Sequence, residues 1–220
     1  MRTVPNKNQL SRYNVNRNGW EAIRQSLYDF TTYAAAGQTQ LTFFALPVGQ
    51  GSKTLSDTNM TLAGQLPANQ EFLVNSIEIY FRTITPGPSA ATQDAAVAVP
   101  ALATAINDSY LISRTGNLTF TIGSKSYLQE APLGRFPPKV NFKVNAALAL
   151  ATTVAADSIE SRIAVANWEG RPYLLSPVDL RLVSTQNFNV TLNWPEGLQS
   201  ITNAARIGVV LDGILYRRSQ

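Results

Sequence analysis

Gly49-Gln50-Gly51-Ser52-Lys53-Thr54 is the segment nearest to a chemical motif, since glycines, a lysine and a threonine after a strand-like run are the makings of a phosphate loop. Its order is wrong for that task. A nucleotide loop places Gly immediately before Lys and a helix N-terminus behind it, so that aligned N–H groups meet the phosphate. Here Ser52 separates Gly51 from Lys53, and Leu55-Ser56-Asp57-Thr58-Asn59 is turn-forming. The expectation is a loop between strands.

Paired carboxylates are the other catalytic option, because two acids flanking a glycosidic bond need no further nucleophile. Glu78, Asp157, Glu160, Glu169 and Asp212 are scattered singly, and nothing in their spacing pairs them. Asp212-Gly213 interrupts an apolar run, which points to a bulge or to an ion pair with a nearby arginine. Cysteine and histidine are both absent, which removes Ser-His-Asp and Cys-His hydrolysis, His or Cys zinc sites, haem ligation and disulfides. No catalytic residue, metal or cofactor is expected. Asn59, Asn107, Asn117 and Asn189 head Asn-X-Ser/Thr triplets, which an Asn- and Thr-rich composition produces by chance.

The 220 residues, 45% of them hydrophobic and 15% charged, suffice for one globular domain. Met1 to Gln9 is polar and lacks the apolar run of an export signal. The apolar stretch around Ala146 to Ala156 is shorter than the roughly 20 residues that span a bilayer, so a soluble protein is expected. The net charge of +4 is unevenly placed: Arg2, Lys7, Arg12 and Arg17 all precede the first acid, Glu21. Residues 1–18 therefore read as an extended basic arm, either a solvated tail or a segment lying on nucleic acid, a membrane-proximal face or a neighbouring subunit.

Behind the arm, Trp20, Ile23, Leu27, Phe30 and Ala34 recur at three- and four-residue spacing, which predicts an amphipathic helix over residues 19–37. Asn18 would cap it and Gly37 would end it. Its aromatics, among them Trp20, Tyr28 and Tyr33, would pack on the chain's own sheet or dock onto another copy.

From Gln40 onward the texture is that of strands separated by Gly, Pro, Asn and Asp. Strands are expected at Gln40–Leu46, Glu71–Thr85, Tyr110–Ser113, Leu118–Ile122, Tyr127–Glu130, Ile159–Ala166, Pro172–Leu175, Leu180–Ser184, Phe188–Trp194 and Ile207–Tyr216. Along Glu71–Thr85 the apolar parity switches, as in a strand that runs beyond the sandwich. Ser89–Ile106 suits a helix on either side of Pro100, Thr115-Gly116-Asn117 a hairpin turn, and 140–155 either a strand or a helix. Ile207–Tyr216 is apolar on both parities and belongs inside a sheet. The fold class expected is mainly β, an antiparallel β-sandwich over residues 38–220.

The basic arm, the segment Trp20 to Ala36, the eight or so strands and the apolar closing strand Ile207 to Tyr216 with Arg217-Arg218 behind it together resemble a family. It is the jelly-roll capsid proteins of icosahedral viruses, especially the single jelly-roll shell proteins of tailless viruses, including bacteriophages. The resemblance implies a single jelly roll, no catalysis and no small-molecule substrate. It also implies a structural virion protein, most simply the major capsid protein, made in the host cytoplasm and assembled with other copies and other capsid proteins. Arg2, Lys7, Arg12 and Arg17 would touch neighbouring subunits or the viral genome, and Trp20, Tyr28 and Tyr33 would sit between subunits. Two other functions fit the residues: a glycan-binding sandwich or viral attachment module, from the polar Asn and Thr faces, and a carboxylate glycoside hydrolase.

Overall fold

The computed structural model describes residues 20–83, 99–139, 143–146, 163–166, 171–177, 180–197, 199–202 and 204–218. In chain order the elements are β1 (Trp20–Arg24), β2 (Leu27–Tyr33), β3 (Gln40–Phe43), β4 (Gln70–Thr83) and α1 (Val99–Arg114). Then follow β5 (Asn117–Ile122), β6 (Lys125–Glu130), a 3-10 turn (Leu133–Arg135), β7 (Lys143–Ala146) and β8 (Ile163–Ala166). The series closes with β9 (Tyr173–Leu174), β10 (Leu180–Val183), β11 (Phe188–Asn193) and β12 (Ala205–Arg218).

The chain is mainly β, with two antiparallel sheets that share one core. In the larger sheet the order is β1-β12-β4-β10, with β2 also on β12 and β9 also on β4. β1 and β2 keep one register against β12, from Trp20↔Arg218 through Arg24↔Ile214 to Leu27↔Leu211, so they form a single lane interrupted at Gln25 and Ser26. The smaller sheet runs β3-β11-β5-β6, and β7 pairs with β8 apart from both. Ile77, Ile79, Ile207 and Val209 from one sheet and Phe43, Phe120, Val190 and Leu192 from the other lie in the same buried cluster.

Strand alternation explains the smaller sheet directly. Phe188, Val190 and Leu192 of β11 and Leu118, Phe120 and Ile122 of β5 are buried, while the intervening Asn and Thr residues face out. β12 is buried along most of its length because it lies between β4 and the β1/β2 lane, as its apolar character on both parities requires.

The parity switch in β4 has a different cause from the one expected. Asp212 opposes Ser76 but Gly213 opposes Val74, which leaves Asn75 as an extra residue on β4. This bulge turns Phe72 and Val74 before it, and Ile77 and Ile79 after it, onto the same inner face. Gly213 is required at the pinch, where an added Cβ would lie 2.0 Å from the Leu73 carbonyl oxygen. The Asn75 carbonyl, left out of the β4–β12 ladder, accepts a hydrogen bond from the Leu175 N–H at 3.0 Å.

Three sequence expectations are corrected. The helix expected over 19–37 is not found among the described residues 20–37: β1 and β2 occupy this segment and belong to the larger sheet. The helical spacing of Trp20, Ile23, Leu27 and Phe30 is coincidental, whereas Leu-Tyr-Asp-Phe-Thr-Thr-Tyr is rich in β-formers whose period is masked by the inward Asp29. Tyr110–Ser113 is the last turn of α1, where Asp108 and Ile112 share a buried face at i, i+4. Gly116, at φ +80°, therefore joins α1 to β5 and does not close a hairpin. Pro100 sits in the first turn of α1, where its missing N–H costs nothing.

Candidate functional site

The odd residues of β2 face inward, so Asp29 enters the core between Leu27 and Tyr33. The Lys53 ammonium donates to Asp29 Oδ1 and, at 3.0 Å, to the Phe30 carbonyl, while the Phe44 N–H donates to Asp29 Oδ2 at 2.6 Å. The Asp29 and Lys53 side chains are 1% and 11% exposed. Burial pushes the Asp29 carboxyl above its ordinary range, and the bonds from Lys53 and Phe44 pull it part of the way back. The lysine of the phosphate-loop lookalike is thus turned inward as a counter-ion. Gly49, Gly51 and Ser52 take positive φ to shape the turn that delivers it, and the Gly49 N–H donates to the Lys53 carbonyl at 2.9 Å.

Asp57 fastens the other end of this loop. Its Oδ2 accepts from the Thr54 N–H at 2.8 Å and from the Thr54 hydroxyl at 2.9 Å, and its Oδ1 accepts from Arg206. These bonds, the Thr54 N–H foremost, hold its carboxyl below the usual range. The Arg206 guanidinium also lies 5.3 Å from the centre of the Phe30 ring. Asn59 does the same work at the break in the first lane, accepting from the Tyr28 N–H at 3.1 Å and donating to the Ser26 carbonyl at 2.8 Å.

The candidate catalytic acids are engaged elsewhere. Glu78 is buried and accepts from the Tyr80 hydroxyl at 2.9 Å and the Lys139 N–H at 2.7 Å. Asp212 pairs with Arg24 at 3.4 Å and with the Lys139 ammonium at 3.2 Å, so it marks both a bulge and an ion pair. Asp157, Glu160 and Glu169 lie outside the described residues. Among the described residues no group of three or more acids could hold a metal. A groove of about 180 Å³ beside the break in the first lane, lined in part by Leu27, Met60, Leu66 and Arg217, is smaller than the roughly 300 Å³ at which ligand pockets begin.

Arg2, Lys7, Arg12 and Arg17 lie outside the described residues. Trp20 is half-buried on β1, opposite Arg218. Tyr28 is half-buried and its hydroxyl donates to the Leu55 carbonyl at 2.5 Å. Tyr33 is fully buried, donates to the Gln199 carbonyl at 2.7 Å and meets Trp194 edge-on at 5.2 Å, so it cannot also lie between subunits. The three residues therefore do not form a shared helical stripe.

The outer face of the smaller sheet is uniformly polar and uncharged on strands β3, β11 and β5. Register aligns Gln40, Asn193 and Asn117 in one row across the strands, and Thr42, Thr191, Thr119 and Gln129 in the next. A third row holds Asn189, Thr121 and Ser126. On β3, β11 and β5 every outward position is Asn, Gln or Thr, without a single charge. Asn193 Nδ2 donates to Asn117 Oδ1 at 3.3 Å, and the Thr191 hydroxyl to Asn189 Oδ1 at 3.4 Å. The alternation along β11 is plain in the sequence, but the rows exist only once register brings β3, β5 and β11 together. Comparison of the chain with protein-family models, curated proteins and solved structures finds no match.

Proposed function

We propose that this chain is a single jelly roll and a structural virion protein, the major capsid protein of an icosahedral virus, whose copies assemble into the shell. The observation that carries the reading is strand order. Counting the β1/β2 lane as first, β9 with β10 as one lane, and leaving aside the separate β7–β8 pair, eight lanes remain, and they pair first with last, second with seventh, third with sixth and fourth with fifth. That is a long antiparallel hairpin of paired strands, and rolling it up adds the pairings of β12 with β4 and of β11 with β5. This order supports the reading of a jelly roll, a fold that viral shell proteins and lectins use. Fold alone does not fix function, and the capsid reading draws additionally on the basic arm and on a chain without histidine or cysteine.

The test is assembly of the purified full-length chain, followed by light scattering and electron microscopy as concentration and salt are raised. Closed particles of uniform size are expected. A chain that stays monomeric at high concentration, both whole and with residues 1–18 removed, overturns the proposal.

A further inference from the structure

We propose that the outer face of the smaller sheet binds a neutral oligosaccharide. The chain has 18 basic and 14 acidic residues, yet none is placed on the outward positions of β3, β11 and β5. Solvent-facing sheets ordinarily carry lysine and glutamate, which keep the protein soluble and deter stray contacts. Their absence here selects among partners. Nucleic acids and acidic glycans need cations to neutralise them. A tight protein partner needs a central cluster of large aromatic or arginine anchors, and the outward positions of β3, β11 and β5 supply none.

What remains complementary is a ligand whose own groups are uncharged and both donate and accept hydrogen bonds, which describes a sugar. Each threonine hydroxyl does both, and each Asn or Gln amide offers a donor and an acceptor side by side, a match for two adjacent hydroxyls. The strands set these groups about 4.8 Å apart across the sheet and about 7 Å apart along it, a grid on the scale of one sugar ring. The side chains are short, and the bonds from Asn193 to Asn117 and from Thr191 to Asn189 hold four of them in place. Less freedom is then lost on binding.

Two further observations lie at the borders of this grid. Tyr127 is the extra residue where the register of β6 slips against β5, and it is 52% exposed, leaving an aromatic ring available at that edge for stacking. At the end of the sheet nearest the Asn row, Gln38 Oε1 and Thr115 Oγ1 are buried with no hydrogen-bond partner among the described residues.

The experiment uses the full-length chain on a printed array carrying neutral glucosyl, galactosyl and mannosyl oligosaccharides beside sialylated and sulfated ones. Neutral hits are then titrated against Thr191→Lys and Thr119→Val, with thermal melting as the check on folding. Binding confined to neutral glycans and insensitive to salt is expected. Thr191→Lys should abolish it, and Thr119→Val, which suits a strand and removes one hydroxyl, should weaken it by about 2- to 12-fold. The proposal is overturned if no neutral glycan is retained, if only acidic glycans bind, or if both variants bind as the parent does. It is also overturned if the face proves to be covered by a second copy, seen as a dimer that Thr191→Lys dissociates while no glycan binds. None of these outcomes depends on particle assembly, so this proposal and the capsid reading fail separately.

Discussion

Asp29 places a carboxylate among Leu27, Tyr33 and Phe44, and the fold tolerates it because Lys53 and the Phe44 N–H satisfy both oxygens. Removing one partner of such a pair is costlier than removing both, since the survivor keeps its desolvation penalty without compensation. Lys53→Met is therefore expected to cost about 3–5 kcal/mol in urea unfolding at neutral pH, and Asp29→Asn combined with Lys53→Met to recover much of the loss. The pH dependence has a definite sign. Because the folded-state carboxyl is raised above its ordinary 3.8, its contribution to stability is fullest below that value and declines as pH rises through the folded value. Without Lys53 the rise is larger, so the deficit of Lys53→Met should be small in acid and grow with pH. A deficit that is flat with pH would show that Asp29 does not ionise in the fold.

At the scale of elements, the bulge opposite Gly213 keeps the inner faces of β4 and β12 in register. Gly213→Ala drives a methyl group into the Leu73 carbonyl, which is backbone and cannot rotate away. A loss of about 3 kcal/mol is expected by thermal or urea unfolding, at the upper end of what overpacking usually costs. Gly123→Ala serves as the comparison, because nothing lies within 4 Å of the site, although its φ of +61° still adds strain. The bulge also shows how far the sequence can be read. Phe188–Asn193 and Asn117–Ile122 alternate cleanly because each has one dry and one wet face, and they are legible as strands. Leu27–Tyr33 is not, because Asp29 occupies an inward position and breaks the period, and only the folded chain supplies its partner, Lys53. The parity switch in β4 is visible, but a bulge is defined by the partner strand, more than a hundred residues away in sequence. The ion pair and bulge at Asp212 are foreseeable because a lone acid in an apolar run must be answered by something. The neutral face is half visible, as polar alternation within single strands, and its rows depend on pairings that no local pattern encodes.

For the molecule as a whole, charge is unevenly divided along the chain. Four of the 18 basic residues stand ahead of the first acid, while the described body neutralises many of its own charges internally, as in Arg206 with Asp57 and Arg181 with Glu71. If the arm lies on the genome, binding of the full-length chain to duplex DNA should weaken steeply with salt. Replacing Arg2, Lys7, Arg12 and Arg17 by Gln should then shallow the log-log slope by about 0.9 for each phosphate no longer neutralised. An unchanged slope would mean that residues 1–18 are a protein–protein tether or merely a tail.

The position of β12 also sets an order in time. It leaves the ribosome after every other described strand, and the larger sheet depends on it, since neither the β1/β2 lane nor the Ser76–Thr83 half of β4 has its long partner without it. Trp20 must wait for Arg218. Joining segments so distant along the chain places folding in the slow range, roughly milliseconds to seconds, and after synthesis of the body is complete. Until then β2 and β4 present open edges to every other nascent copy nearby. On a polysome crowded with identical chains, the β12 of a neighbour competes for the same edges, so the yield of correctly closed molecules should fall as the rate of synthesis rises.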